Sequence, residues 1–118
     1  MKTIVVVTDD LSFLNLSVVF LELGGFSVIS FSDPKRAFAF LSKEKEALHL
    51  LIADFEMSGI SGAELVSLVK KTRPKMRTIC LTRESNAEQV CRQAGCDAFL
   101  AKPVSFKLLQ KEVERVLS

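Results

Sequence analysis

The stretch LLIAD at residues 50–54 places four apolar residues directly before an aspartate. Another apolar run stands just before the pair Asp9 and Asp10, and a third ends immediately before Lys102. If these runs are parallel strands of one sheet, their carboxyl ends share an edge and the polar side chains meet there. Carboxylates that meet need a cation, and Mg²⁺ takes one or two carboxylates together with water and phosphate oxygens. The pattern therefore points to phosphoryl chemistry on an aspartate.

Segments typical of strands and helices alternate along the whole chain. Short, continuous apolar runs indicate strands that are buried on both faces. Strands that alternate with helices of about ten to fifteen residues predict right-handed crossovers and a five-stranded parallel, doubly wound α/β sheet with five helices. The predicted strands are residues 3–8, 26–31, 49–54, 77–81 and 98–101, and the predicted helices are residues 10–23, 34–46, 61–73, 85–95 and 105–117.

Two of the helix starts carry a capping pattern. Ser61 is followed three residues later by Glu64, and Ser85 is followed by Glu88 at the same spacing. In such a capping box, the serine hydroxyl and the glutamate carboxylate each accept a hydrogen bond from a backbone N–H at the helix start. Both patterns predict where the third and fourth helices begin.

Length and composition predict one domain over residues 1–118. A chain of this size buries roughly two thirds of its unfolded surface, so one core is enough. A net charge of +2 is too small to indicate nucleic acid binding, and the glycines form no phosphate-binding loop. No apolar run reaches the ~18 residues of a membrane span, and the Met-Lys start lacks a signal-peptide pattern. We therefore expect a cytoplasmic protein that binds neither nucleic acid nor membrane directly.

The three cysteines predict reduced, buried thiols. Cys80, Cys91 and Cys96 are an odd number without a Cys-x-x-Cys pair, and the chain has a single histidine, His49, to join them. These features disfavour a disulfide framework and a metal site. His49 begins a predicted strand far from its carboxyl end, which favours a structural role over phosphotransfer.

Five features in order resemble the signature of a response regulator receiver domain (CheY-like), the phosphoacceptor module of two-component signalling. Any one of them is weak evidence, whereas all five at successive strand ends make a specific pattern. The resemblance covers essentially the whole chain and implies a flavodoxin-like strand order of 2-1-3-4-5, with the site at the carboxyl edge. The features are the acidic pair Asp9 and Asp10, Asp54, Thr82, Phe99, and the dipeptide Lys102-Pro103.

The resemblance implies a role for each polar residue at this edge. Asp54 is the nucleophile that accepts a phosphoryl group and becomes an acyl phosphate. Asp9, Asp10 and Asp54 hold Mg²⁺, and a backbone carbonyl near Glu56 completes its shell. The metal offsets negative charge on the phosphoryl oxygens. Lys102 supplies a positive charge, first to Asp54 and later to a phosphoryl oxygen.

Thr82 and Phe99 are implied to form a switch. The hydroxyl of Thr82 donates to a phosphoryl oxygen, and the ring of Phe99 fills the space that Thr82 leaves. The peptide Lys102-Pro103 is implied to be cis, an isomer found almost only before proline. The resulting change of shape alters a protein-interaction surface.

By this resemblance, the chain takes a phosphoryl group from a histidine kinase or a phosphotransfer protein. The signal then passes to a downstream protein target or an output domain. We expect no enzymatic activity beyond self-catalysed phosphorylation and slow dephosphorylation of Asp54. One alternative is a pseudo-receiver that binds proteins without being phosphorylated. Another is a haloacid-dehalogenase-like phosphatase, which has an Asp-x-Asp pair and a cap that this sequence lacks.

Two residues depart from the family pattern. Ser58 stands where the family usually has proline, which makes the loop after Asp54 less stiff. Arg83, next to Thr82, replaces a small residue, and its long side chain can hang over the phosphoryl site. We hypothesise that Arg83 and Glu56 together hinder water and slow dephosphorylation.

The first predicted helix is unusually apolar on two sides. Its apolar residues form two stripes on nearly opposite sides of the helix. Only one stripe can face the sheet squarely, so the other leaves apolar surface near solvent. We predict a contact there with a kinase, a phosphotransfer protein or a second copy of the chain. One stripe contains Leu14, Val18 and Leu21, and the other contains Phe13, Leu16, Phe20 and Leu23.

Overall fold

Five parallel strands form the sheet of the computed structural model, which describes residues 1–118 apart from the side chain of Ser85. The strand order is 2-1-3-4-5, so the predicted flavodoxin-like fold is confirmed. The strands are β1 (Thr3–Val7), β2 (Ser27–Phe31), β3 (Leu50–Asp54), β4 (Arg77–Thr82) and β5 (Ala98–Ala101). The helices are α1 (Leu11–Leu23), α2 (Pro34–Lys43), α3 (Gly62–Thr72), α4 (Glu88–Ala94) and α5 (Phe106–Leu117).

Helices cover both faces of the sheet, which explains why its strands read as continuous apolar runs. Successive side chains of a strand point to opposite faces. In β1, Ile4 and Val6 pack with α1 and α5, whereas Val5 and Val7 pack with α2 and α3. Every residue of the central strand β3 is buried. The last of them is Asp54, so the core extends up to the predicted nucleophile.

Several predicted boundaries shift for reasons that involve side chains. β1 ends at Val7 rather than at residue 8, and the Thr8 hydroxyl beyond it donates to Asp54 and accepts from the amide of Asp10. α2 ends at Lys43 rather than near residue 46. There the Arg73 guanidinium donates to backbone carbonyls at and beyond the end of α2, which satisfies them without further helical turns.

The two capping predictions have different outcomes. Ser61 and Glu64 form the predicted capping box at the start of α3, so that prediction is confirmed. The predicted role of the Ser85 hydroxyl lies outside the described side chains. The backbone forms a 3₁₀ turn over Ser85–Ala87, and α4 begins only at Glu88, which corrects the predicted helix start.

α1 leaves a large part of its apolar surface exposed. Leu14 and Leu21 are buried against the sheet, and the rings of Phe13 and Phe20 pack on Phe106 of α5. The predicted second stripe is therefore only partly exposed, because α5 covers its aromatic residues. Among the residues described, no helix combines the length and apolar character of a membrane span. The apolar α1 residues that stay exposed are Leu11, Leu16, Val19 and Leu23.

Candidate functional site

Asp54 is a buried carboxylate with two very different oxygens. Its side chain ends β3 and the residue is 2% exposed. Oδ2 lies 2.7 Å from Lys102 Nζ and also accepts a hydrogen bond from the Thr8 hydroxyl. Oδ1 is buried and has no hydrogen-bond partner among the described side chains and backbone. An unsatisfied buried oxygen is uncommon and marks a position where a ligand or ion can bind.

The surroundings of Asp54 shift its proton equilibrium. Burial raises the pKa of Asp54 above its usual value of 3.8, because desolvation disfavours the charged form. Hydrogen bonds from Lys102 and Thr8 oppose this rise by stabilising the carboxylate. Lys102 is itself largely buried, so its ammonium is held near Asp54 with little screening by water.

Thr8 is a site residue that the sequence patterns did not single out. The sequence predicts only that Thr8 is the last residue of the first strand, and it assigns no partner to the hydroxyl. In the structure it is 1% exposed and links Asp54 to the amide of Asp10. The available signal was a threonine between a buried strand and an acidic pair, since a buried hydroxyl must find a partner.

Asp9 and Asp10 lie at the same edge as Asp54, but each is engaged with a backbone amide. Asp10 caps α1, and its Oδ1 accepts from the amide of Phe13 at 3.2 Å. Asp9 Oδ2 accepts from the amide of Ser58 at 3.1 Å. A proline at position 58 has no N–H to donate, so this departure from the family pattern adds a bond to Asp9.

These residues fit a hard cation. Mg²⁺ needs only one or two carboxylates, with water filling the other positions. The buried, unpartnered Oδ1 of Asp54 and the exposed carboxylates of Asp9 and Asp10 offer oxygen donors of this kind. Among the described side chains, the three carboxylates do not form a tight cluster, and the amide bonds occupy only Oδ1 of Asp10 and Oδ2 of Asp9.

Thr82 and Glu56 form a second contact at this edge that the sequence did not predict. The hydroxyl of Thr82, which is 1% exposed, donates to Glu56 Oε2 rather than to Asp54. Glu56 Oε1 accepts from the backbone amide of Arg83 at 3.3 Å. The side chain of Glu56 thus holds the end of β4, whereas the sequence prediction gave its backbone carbonyl to a metal.

An open pocket of about 380 Å³ lies beside the Asp54–Lys102 pair. Arg83 and Phe13 contribute to its wall, and Lys102 Nζ lies 6.0 Å from the centre of the Phe13 ring. A pocket with one carboxylate, two cations and an aromatic ring suits a small anionic group. It is lined by Asp10, Phe13, Arg83, Lys102, Pro103 and Val104.

Phe99 lies on the same face of the sheet as Thr82. It pairs with Cys80, which is two residues before Thr82 in β4. Phe99 is half-buried. The peptide Lys102-Pro103 is cis, as predicted.

The family assignment follows from comparison with known proteins. The family model of the response regulator receiver domain matches residues 4–114. The chain belongs to this family. A putative two-component response regulator of Arabidopsis thaliana is 27% identical to the receiver domain over 115 residues, which are 98% of this chain and 19% of the relative. The chain thus spans about a fifth of that relative's length.

Solved receiver domains have the same architecture. The crystal structure of a receiver domain protein from Methanospirillum hungatei has a TM-score of 0.92 and 27% identity, covering 99% of this chain and 94% of that one. A Thermotoga maritima response regulator in complex with Mg²⁺ and BeF has a TM-score of 0.87 and 28% identity, covering 99% and 100%. The receiver domain therefore has the family's fold over nearly its entire length.

At the opposite edge of the receiver domain, the described residues include no buried carboxylate with an unpartnered oxygen. A cavity of about 540 Å³ opens there, with His49 in its lining. His49 Nδ1 accepts a hydrogen bond from the amide of Thr3 at 3.0 Å, so this ring nitrogen has a structural role.

Proposed function

We propose that this receiver domain accepts a phosphoryl group on Asp54 from a partner histidine kinase or phosphotransfer protein. The observation that carries the proposal is the unequal environment of the Asp54 oxygens. Lys102 and Thr8 hold Oδ2, and Oδ1 keeps free lone pairs. Oδ1 is therefore open to an ion or a phosphoryl group, and in the transfer a carboxylate oxygen of Asp54 forms the P–O bond while the donor's imidazole leaves with the electrons of the broken P–N bond.

Each neighbour of Asp54 has a defined task in this step. Lys102 keeps the carboxylate ionised and limits its rotation, which lowers the entropy lost on reaction. Thr8 fixes the same oxygen from the other side. Asp9, Asp10 and Asp54 hold Mg²⁺ when it is present, and the ion offsets negative charge on the transferred phosphoryl oxygens.

The same proposal assigns the switch to Thr82 and Phe99. The Thr82 hydroxyl has to leave Glu56 before it can donate to a phosphoryl oxygen. Phosphorylation offers a stronger, fully charged acceptor, which compensates for that lost hydrogen bond. Phe99, on the same face of the sheet, then occupies the vacated space and changes the surface near α4 and β5.

The downstream partner is a protein or an output domain, reached from the cytoplasm without direct contact to nucleic acid or membrane. The Arabidopsis relative is about five times longer than the matched segment, which supports an arrangement with further domains. Catalysis in this proposal is limited to the domain's own phosphorylation and slow dephosphorylation.

A pseudo-receiver is the second candidate, and one observation favours it. The hydroxyl that the switch requires is already paired with Glu56, and the amide of Arg83 strengthens that arrangement. If this pair does not open, the domain binds partners through one fixed shape, independently of phosphorylation.

Mass spectrometry after incubation with Mg²⁺ and a small acyl phosphate donor separates these candidates. We expect one phosphoryl adduct on the unmodified chain and none on Asp54→Asn. Asp97→Asn is the matched control, because Asp97 forms a comparable pair with Lys70 at the opposite edge, and it should keep the adduct. No adduct on any variant supports the pseudo-receiver. Many donor molecules consumed per chain would support the phosphatase.

A further inference from the structure

The fold brings the side chains of all three cysteines together on one side of β4. Their sulfur atoms lie within 4.8 Å of one another, and Cys80 Sγ and Cys91 Sγ are 3.1 Å apart. The sulfurs are buried, although Cys96 as a residue is partly exposed. The sequence predicted reduced, buried thiols and disfavoured a metal site, so this convergence is a finding of the tertiary structure.

Backbone geometry holds the three positions in place. Gly95 adopts φ 109°, a left-handed conformation that reverses the chain at the end of α4. The amide of Cys96 then donates to the carbonyl of Cys91 at 3.1 Å, which returns Cys96 to the side of Cys91. Asp97 ties the same loop to β4 by accepting from the amide of Thr78 at 2.8 Å.

We propose that Cys80, Cys91 and Cys96 form a three-thiol binding site for a soft trivalent metalloid of the arsenite class. Thiolate sulfur selects soft ions over hard ones. The site is distinct from the oxygen donors at Asp54, which suit Mg²⁺. It does not depend on phosphorylation, so either proposal can fail without the other.

Coordination number favours a three-coordinate ion. Zinc in structural sites is almost always bound by four ligands. The described side chains group these three sulfurs without a fourth histidine, cysteine or carboxylate ligand. A trivalent metalloid bonds three sulfurs in a pyramid and needs no other ligand.

Charge favours the same class of ion. Three thiolates around a divalent cation leave a net negative charge, which is costly to bury. A trivalent centre with three thiolates is neutral. The balanced step is M(OH)₃ + 3 R–SH → M(SR)₃ + 3 H₂O, in which three M–O bonds become M–S bonds and the thiol protons leave in water. No electron is transferred, so the step needs no oxidant or reductant.

The test is native mass spectrometry of the full chain, reduced with a phosphine and titrated with sodium arsenite. We expect one arsenic per chain with the loss of three hydrogens and no retained hydroxyl. Cys96→Ser removes the partly exposed ligand and leaves the two buried thiols unchanged. Its arsenic adduct should keep one hydroxyl, and its affinity should fall on the order of 10²-fold, because one of three linked ligands is lost.

Two controls keep the result interpretable. Asp54→Asn should bind arsenite like the unmodified chain, because its change lies at the carboxylate site. Circular dichroism checks that Cys96→Ser is folded. The proposal is overturned if no adduct forms, if the adduct on the unmodified chain retains a hydroxyl, or if Cys96→Ser binds equally well. Tighter binding of Cd²⁺ than of arsenite by the three thiols would overturn the choice of ion.

Discussion

Gly62→Ala tests how closely the start of α3 packs against Asp54, the proposed phosphoacceptor. The amide of Gly62 donates to the carbonyl of Phe55 at 3.0 Å, which holds the two backbone segments together. A Cβ at position 62 would clash with the Asp54 carbonyl oxygen. It would also lie 2.7 Å from the Asp54 carbonyl carbon and 2.9 Å from Phe55 Cα. All of these are backbone atoms, so no side-chain rotation can relieve the contact.

The expected destabilisation follows from two opposing terms. Overpacking of this kind costs about 1–3 kcal/mol. Replacing glycine by alanine where the backbone allows it contributes about 0.4–1 kcal/mol in the other direction, through the unfolded chain. We expect a net loss of about 1–2 kcal/mol, which is a shift of roughly 0.5–1 M in the urea midpoint at an m-value near 2 kcal/mol/M.

Phosphorylation should respond to the same change, because the clash displaces Asp54 from Lys102. We expect the rate with a small acyl phosphate donor to fall by about tenfold or more, since small misplacements of reacting groups are costly. Gly24→Ala is the matched control. Its φ is −79°, and the nearest atoms to an added Cβ are the Leu21 carbonyl oxygen at 3.3 Å and the flexible side chain of Gln110 at 3.4 Å, with no approach below 3 Å. If both variants unfold at the same urea concentration, the argument for close packing at Gly62 is refuted.

Three further predictions concern charge, water access and the exposed helix. Because burial raises the pKa of Asp54, the carboxyl group of Asp54 holds its proton more tightly in the folded state than in the unfolded chain. Stability should therefore fall as pH rises from about 3.8 to the raised value, and urea unfolding of Asp54→Asn should lack that slope. Arg83 lines the pocket beside Asp54, so Arg83→Ala should shorten the acyl phosphate lifetime, measured by loss of the adduct; an unchanged lifetime rejects the shielding hypothesis. Leu16→Asp combined with Val19→Asp should weaken self-association in sedimentation velocity and change the free energy of unfolding by no more than about 0.5 kcal/mol per site, since both residues are more than half exposed. Unchanged association would count against a second copy as the partner of α1.

The order of elements could be predicted because each strand and helix carries its own local signal. Buried parallel strands must be apolar on both faces, and helix caps such as Ser61 with Glu64 depend on residues three apart. The ends of elements were less predictable. α2 stops at Lys43 because Arg73, thirty residues further along, satisfies its last carbonyls, and no local pattern carries that information.

The sequence by itself determined that Asp54 and Lys102 would stand at the same edge, because both directly follow strands of one parallel sheet. Only the tertiary structure decided which atoms meet there. In the structure, Asp54 Oδ2 contacts Thr8 and Lys102, Oδ1 has no partner in the described part of the chain, and Thr82 donates to Glu56. The fold also brings three thiols together, although the spacing of the cysteines in the chain does not predict this proximity. Strand order places backbones, but hydrogen bonds and contacts between distant side chains depend on rotamers and packing that only the folded core selects.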